Sequence, residues 1–95
     1  MTQKHFEKLH LAISDISDIL KSNGFKGCNL YQMEEAELKR YSFPELAVDS
    51  NGSRLHVGEW YVVVRCENDY RYLINVDGLS VLSACAEVLN FIQYK

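Results

Sequence analysis

Residues 59–78 read EWYVVVRCENDYRYLINVDG. Two runs rich in Val, Ile and Tyr flank the polar triplet Glu67-Asn68-Asp69, and each run carries one arginine in its middle. Runs of β-branched and aromatic residues on either side of such a triplet predict a β-hairpin. Its register follows from the loop length. A three-residue loop sets Cys66 against Tyr70, Val64 against Tyr72, Val62 against Ile74 and Trp60 against Val76, which makes one face wholly apolar. A two-residue loop mixes polar and apolar side chains on both faces, and burial selects against that register. The three-residue register also sets Arg65 opposite Arg71 on the second face, beside Tyr61, Val63, Leu73 and Asn75. Like charges directly opposite repel, so the arginine pair needs an anion nearby or open water.

An apolar sheet face needs a cover, and both ends of the chain supply one. Over residues 3–22, Phe6, Leu9, Ile13, Ile16 and Leu20 recur at steps of three and four, with Ala12 and Ile19 widening the stripe. Thr2 caps the start, and Asn23-Gly24 supplies the left-handed residue that ends such a helix. Two heptads fall short of the roughly three or four that mark a coiled coil, so this helix docks on the sheet. A last helix is expected from Leu79 to Tyr94, after the Asp77-Gly78 turn. Ser80, Ser83, Glu87, Asn90 and Tyr94 form one narrow polar stripe on it, and most of the circumference is apolar. A helix so apolar is buried on several sides or shared with another chain.

The middle of the chain is less regular. Leu30 to Tyr41 reads as a short second helix, with Asn29 as N-cap and Gln32 in the capping-box position. Glu34 and Glu37 fall on the face it shares among Leu30, Met33, Leu38 and Tyr41, so the helix lies shallowly or those acids meet something basic. Pro44 forbids its continuation. Next, LAV and RLHVG flank DSNGS, whose Asn51-Gly52 signals a hairpin turn, and Gly58 bends the chain into the following strand. The expected architecture is a single α+β domain over residues 1–95, a two-layer sandwich. Its order is an N-terminal helix, a short second helix, a three- to four-stranded antiparallel sheet and a C-terminal helix, with the outer sheet face left to water or a partner.

Length and charge narrow the function. Ninety-five residues hold one modest core, without a second lobe to form a deep cleft. A net charge of -3 disfavours nucleic acid as a partner. The aromatics that would stack bases, Trp60, Tyr70 and Tyr72, also fall on the core face. No apolar run approaches the ~20 residues of a membrane span, and MTQKHFEKLH lacks the core of a signal peptide. Three widely spaced cysteines, Cys28, Cys66 and Cys85, read as reduced thiols, so the expected compartment is the cytoplasm. The sequon Asn51-Gly52-Ser53 then reads as a turn.

Motifs for chemistry are absent. His5, His10, His56 and the cysteines offer no metal-ligand spacing, so no metal and no cofactor is expected. Cys28 sits in GFKGCN, where Lys26 and the helix after Asn29 would activate a thiol only weakly, and Cys66 and Cys85 read as buried apolar groups. Asp49, Asp69 and Asp77 are turn formers, and no glycine-rich phosphate loop follows a strand. No catalytic residue is assigned. An enzyme whose site spacing does not reveal is the remaining alternative.

Two surfaces suggest contact with a protein. On the first helix, Leu11 points away from the core stripe among Glu7, Asp15 and Asp18, the composition of a patch for a basic partner. For Arg65 and Arg71 three outcomes are open. Glu34 and Glu37 fold over and neutralise them; each pairs locally with Glu59, Glu67 or Asp69; or Tyr31, Tyr61, Arg65 and Arg71 form an open recognition face. The reading that fits is a protein-binding module, an inhibitor in the manner of immunity or antitoxin proteins that block a basic toxin nuclease. That analogy is one of size and charge. Glu7, Leu11, Asp15, Asp18, Glu34, Glu35, Glu37, Tyr61, Arg65 and Arg71 are its candidate contacts. The alternative is a subunit of a larger assembly or a homodimer joined through the last helix.

Overall fold

The computed structural model describes residues 2–40 and 47–93. Its elements run α1 (Gln3–Lys21), β1 (Phe25–Gln32), α2 (Glu35–Leu38), β2 (Trp60–Cys66), β3 (Arg71–Asn75) and α3 (Val81–Gln93). The strands form one antiparallel sheet in the order β1-β2-β3. The architecture is therefore α+β, with three strands.

The first helix begins and ends where its caps demand. Thr2 Oγ1 accepts a hydrogen bond from the His5 amide at 3.1 Å, and Gly24 takes the left-handed φ of 88° just beyond the last turn. Leu9, Ile13, Ile16 and Leu20 are buried along one stripe. They pack on Val62, Val64, Ile74 and Val76, the apolar hairpin face, with Trp60 and Tyr72 at its margins. On the same face and beside α1, α3 adds Ala84 and Val88, and the Phe91 ring centroid lies 5.0 Å from that of Tyr72.

The hairpin has the register expected of it. Val62 pairs with Ile74, Val64 with Tyr72 and Arg65 with Arg71. The Cys66 amide reaches the Tyr70 carbonyl at 2.9 Å across a three-residue loop that ends on Asp69 at φ 67°. That left-handed position normally takes glycine, but a short polar side chain tolerates it. Here Lys26 of β1 clasps the Asp69 carboxylate at 2.7 Å.

Residues 25–32 depart from expectation. The segment read as a loop followed by the start of a helix is strand β1, and helix survives only over Glu35–Leu38. A bulge between Phe25 and Gly27 breaks the strand's alternation and hides its period. Beyond the bulge, Cys28 and Leu30 face the main core, while Tyr31 and then Met33 face the other side. Gly27 is buried at φ 120°, and a Cβ there would lie 2.6 Å from Ser17 Oγ, so α1 rests directly on this backbone.

The outer sheet face is not left to water. Met33, Ala47, Leu55 and Tyr61 form a second buried cluster, joined by Tyr31, Leu38 and Leu73. The expected hairpin around DSNGS shrinks to a single bridge between Val48 and Arg54. Asp49 holds its turn by accepting the amides of Asn51 (2.8 Å) and Ser53 (3.1 Å), and Ser50 donates its amide to the Leu73 carbonyl of β3. This segment roofs one end of the outer face. The helix end at Tyr41, the Pro44 break, Leu46 and Tyr94 lie outside the described residues.

The last helix starts later than Leu79: Ser80 is its cap, accepting the Ser83 amide on Oγ and the Ala84 amide on its carbonyl. Only Ala84 and Val88 of α3 are fully buried, and Leu82 stands 84% exposed.

Candidate functional site

Register alone puts Arg65 and Arg71 side by side on the outer face, because they are Cα partners across β2 and β3. The short α2 then decides what happens to them. Its Leu38 packs into the second cluster, and this anchors Glu37 over the strands. Glu37 Oε1 lies 3.4 Å from Arg71 Nη2, and its other oxygen lies 3.3 Å from Arg40 Nη1. Held between two guanidinium groups, the carboxylate is only 18% exposed. Acids from the short helix do fold over the arginines, but Glu37 does this alone and for Arg71 alone.

Arg65 is left differently. Its Nη2 reaches Asn29 Oδ1 at a long 3.5 Å, and it pairs with no carboxylate among the described residues. Of the local candidates, Asp69 binds Lys26, whose ammonium holds that carboxyl below the usual carboxylate range, Glu59 accepts Asn75 Nδ2 at 2.7 Å, and the exposed Glu67 makes no ion pair with a described residue. Between the arginines runs a groove of about 180 Å³, with Val63 and Leu73 as floor and Tyr31 and Glu37 as walls. Glu34 and Glu35, just before Glu37 in the chain, are exposed and do not line the groove. Glu35 makes an exposed contact to Lys39 at 3.5 Å, and Glu34 makes no ion pair with any described residue.

Tyr61 does not belong to this surface. It is fully buried in the second cluster, and its hydroxyl accepts the His56 amide at 3.0 Å and donates to Glu59 at 3.5 Å. Loss of hydration pushes its pKa up, and the negative charge of Glu59 adds to this, outweighing the His56 amide, whose hydrogen bond lowers it. The reason is the roof over residues 47–58. It closes the end of the face where Tyr61 sits and leaves the Arg65 end uncovered.

The acids named on α1 lie elsewhere. Glu7, Leu11, Asp15 and Asp18 are exposed, Leu11 by 66%. They ride on a helix packed against the Val62–Val64 face, whereas α2 packs on the Tyr61–Leu73 face. The two acidic sets therefore look away from each other across the sheet. On α1 the three carboxylates share the helix with Lys4, Lys8 and Lys21, so its charge is balanced.

Cys28 lacks the loop and following helix that would activate its thiol. It sits in β1, with Sγ 3.6 Å from the Ile13 carbonyl and its amide donating to Ser17 Oγ. Burial pushes the thiol up to about 11, outweighing the Ser17 hydrogen bond that lowers it, so it is protonated at neutral pH. A broader, open depression of about 670 Å³ lies at the other end of the sheet, beside His5, Trp60 and Asp77. Asp77 there accepts the Trp60 amide, and Gln32 donates to the Gly58 carbonyl, so both are committed to holding backbone. Among the described residues, no three His, Cys, Asp or Glu side chains gather as metal ligands would, and no helix is long and apolar enough to cross a membrane.

Asn29 and the Glu59–Asn75 contact escaped the sequence reading. Asn75 was placed on the outer face by the hairpin register, which sets it opposite Tyr61. Asn29 carried no signal once its segment was read as a helix cap. No known protein family, curated protein or solved structure matches the chain.

Proposed function

We propose that this chain is a protein-binding module that occludes its partner through the outer sheet face between α2 and the β2–β3 hairpin. The carrying observation is Arg65: an exposed guanidinium on the rim of an apolar-floored groove, paired with no carboxylate among the described residues. Arginine beside an aromatic wall, at the edge of buried apolar surface, is the composition of an interface hot spot. Arg65 supplies a donor fork for a carboxylate or carbonyl of the partner, and Glu34 and Glu35 supply acceptors for its lysines or arginines.

The net charge of -3 makes a basic protein the partner that long-range steering favours. An inhibitor working in the cytoplasm, built like immunity or antitoxin proteins against a toxin nuclease, is the concrete form of this reading. The test is affinity capture from the native host with tagged wild-type chain, Arg65→Glu and Glu34→Lys/Glu35→Lys. A specific protein captured by the wild type and lost from both variants supports the reading. Equal capture by all three chains removes this face from consideration.

A further inference from the structure

The side of the molecule opposite that groove carries a pattern of its own. On α1, the flank bearing Ser14, Ser17 and Lys21 borders a cleft with Cys28 and Asn29 of β1, and the exposed Asp18 stands at the outer rim of that cleft. The opposite flank therefore lies on the side of α3, which α1 contacts, with Ala12 half-buried and Lys8, Asp15 and Ile19 exposed along the outer edge. On α3, Glu87 and Asn90 border the turn at Ser50 and Asn51. Its other flank lies on the side of α1, with Cys85 half-buried and Leu82, Ala86 and Leu89 exposed. The outward surface of the two helices therefore carries large aliphatic side chains among charged ones: Leu11 is 66% exposed, Ile19 53%, Leu82 84% and Leu89 39%. Exposed leucines scattered singly need no explanation, but four large aliphatic side chains on one two-helix face do.

The charges on that face say what covers it. Lys4 stands seven residues before Leu11 and Asp18 seven after it; Lys8 stands three before and Asp15 four after. All four are exposed, and none makes an ion pair with a described residue. Two such helices laid antiparallel about a two-fold axis at Leu11 bring Lys4 against Asp18 and Lys8 against Asp15 of the second copy, twice over. Leu11 then meets Leu11 of the second copy, and the Ile19 and Leu82 flanks lie along the joint. Glu7 sits on the far edge of the stripe, opposite Ser14 of the second copy, where it meets no carboxylate. An isologous interface must be self-complementary in this way. A balanced stripe, basic at one end and acidic at the other, fits its own reverse and offers no such match to a uniformly charged surface.

We infer that the α1–α3 face binds a second copy of this chain, forming a two-fold dimer centred on Leu11. This interface is independent of the Arg65 groove, which stays open on both copies.

Sedimentation equilibrium of the full chain, from about 1 µM to a few hundred µM, tests it. The expected mass rises to twice the 11.0 kDa of the chain. Leu11→Glu and Leu82→Glu should each be monomeric at unchanged thermal stability, because both side chains already stand in solvent. Lys8→Asp and Asp15→Lys should each weaken the dimer on the order of tenfold, since two symmetric contacts turn repulsive. The combined K8D/D15K chain should recover wild-type association, which general damage to the fold would not produce. A wild-type chain that stays monomeric throughout overturns the proposal. So does a dimer that survives L11E and L82E, or a K8D/D15K chain that associates no better than its parents.

Discussion

Arg65 and Arg71 face each other across the β2–β3 hairpin, and Glu37 reaches only one of them, lying 3.4 Å from Arg71. A cross-strand repulsion is thus relieved from a separate element, α2, rather than by a neighbour on either strand. Because Leu38 anchors α2 through the second apolar cluster, charge compensation on the sheet depends on packing beneath it.

Replacing Glu37 with Gln restores that repulsion. Arg71 is more than half exposed, so solvent screens the contact, and the expected loss is about 0.5–1 kcal/mol at low salt. The loss should shrink toward zero at about 1 M salt, where the screening length falls to about 3 Å. Urea unfolding of E37Q, R71Q and the double variant at two ionic strengths measures the coupling. A loss independent of salt would mean that Glu37 acts through packing instead.

Tyr61→Phe strands a donor. The His56 amide hydrogen-bonds the Tyr61 hydroxyl at 3.0 Å beside a fully buried ring, so the variant should lose about 1–2 kcal/mol. Tyr70→Phe is the matched control, because Tyr70 is 65% exposed and should shift stability by less than about 0.5 kcal/mol. Equal effects in the two variants would contradict the roof over the outer face.

Gly27→Ala meets two obstacles, a left-handed φ of 120° and a Cβ 2.6 Å from Ser17 Oγ. The expected cost is roughly 2–3 kcal/mol, strain and overpacking together. Gly24→Ala, with φ 88° and open space around it, should cost about 1 kcal/mol from strain alone. Thermal unfolding of both separates the terms, and similar losses would show that α1 has room to move away.

The Cys28 thiol makes stability depend on alkaline pH. Its pKa rises from 9.0 to about 11 on folding, so above pH 9 the unfolded chain gives up this proton before the folded one does. The stabilisation is complete below about pH 9 and is lost as pH rises through about 11, on the order of 1–2 kcal/mol. Comparing wild type with Cys28→Ala at pH 8 and about 10.5 isolates the effect from other titrating groups. An unchanged difference between the two chains would place the thiol in water.

Legibility in the sequence followed the source of each constraint. The hairpin register, the α1 stripe and the Arg65–Arg71 pairing were readable because each is fixed by a period within one or two contiguous segments. Strand β1 was not, because its bulge at Phe25–Gly27 breaks the period of two, and Leu30, Met33 and Leu38 happen to keep helical spacing. The burial of Tyr61 was hidden for another reason. It depends on residues 47–58 folding back as an irregular roof, and such a contact leaves no periodic trace. For the candidate site, the pairing of Glu37 with Arg71 was one of three open outcomes, and only the placement of α2 decided among them.

The sheet order β1-β2-β3 also sets a schedule. Four residues separate β2 from β3, whereas 27 residues, 33–59, separate β1 from β2. Closing the longer loop costs about 2 kcal/mol more in chain entropy, so the hairpin assembles ahead of its neighbour strand. Until β1 arrives with the helix tethered to it, the newborn hairpin shows bare valines to the solvent, and the chain is most prone to sticking to its own kind at that moment.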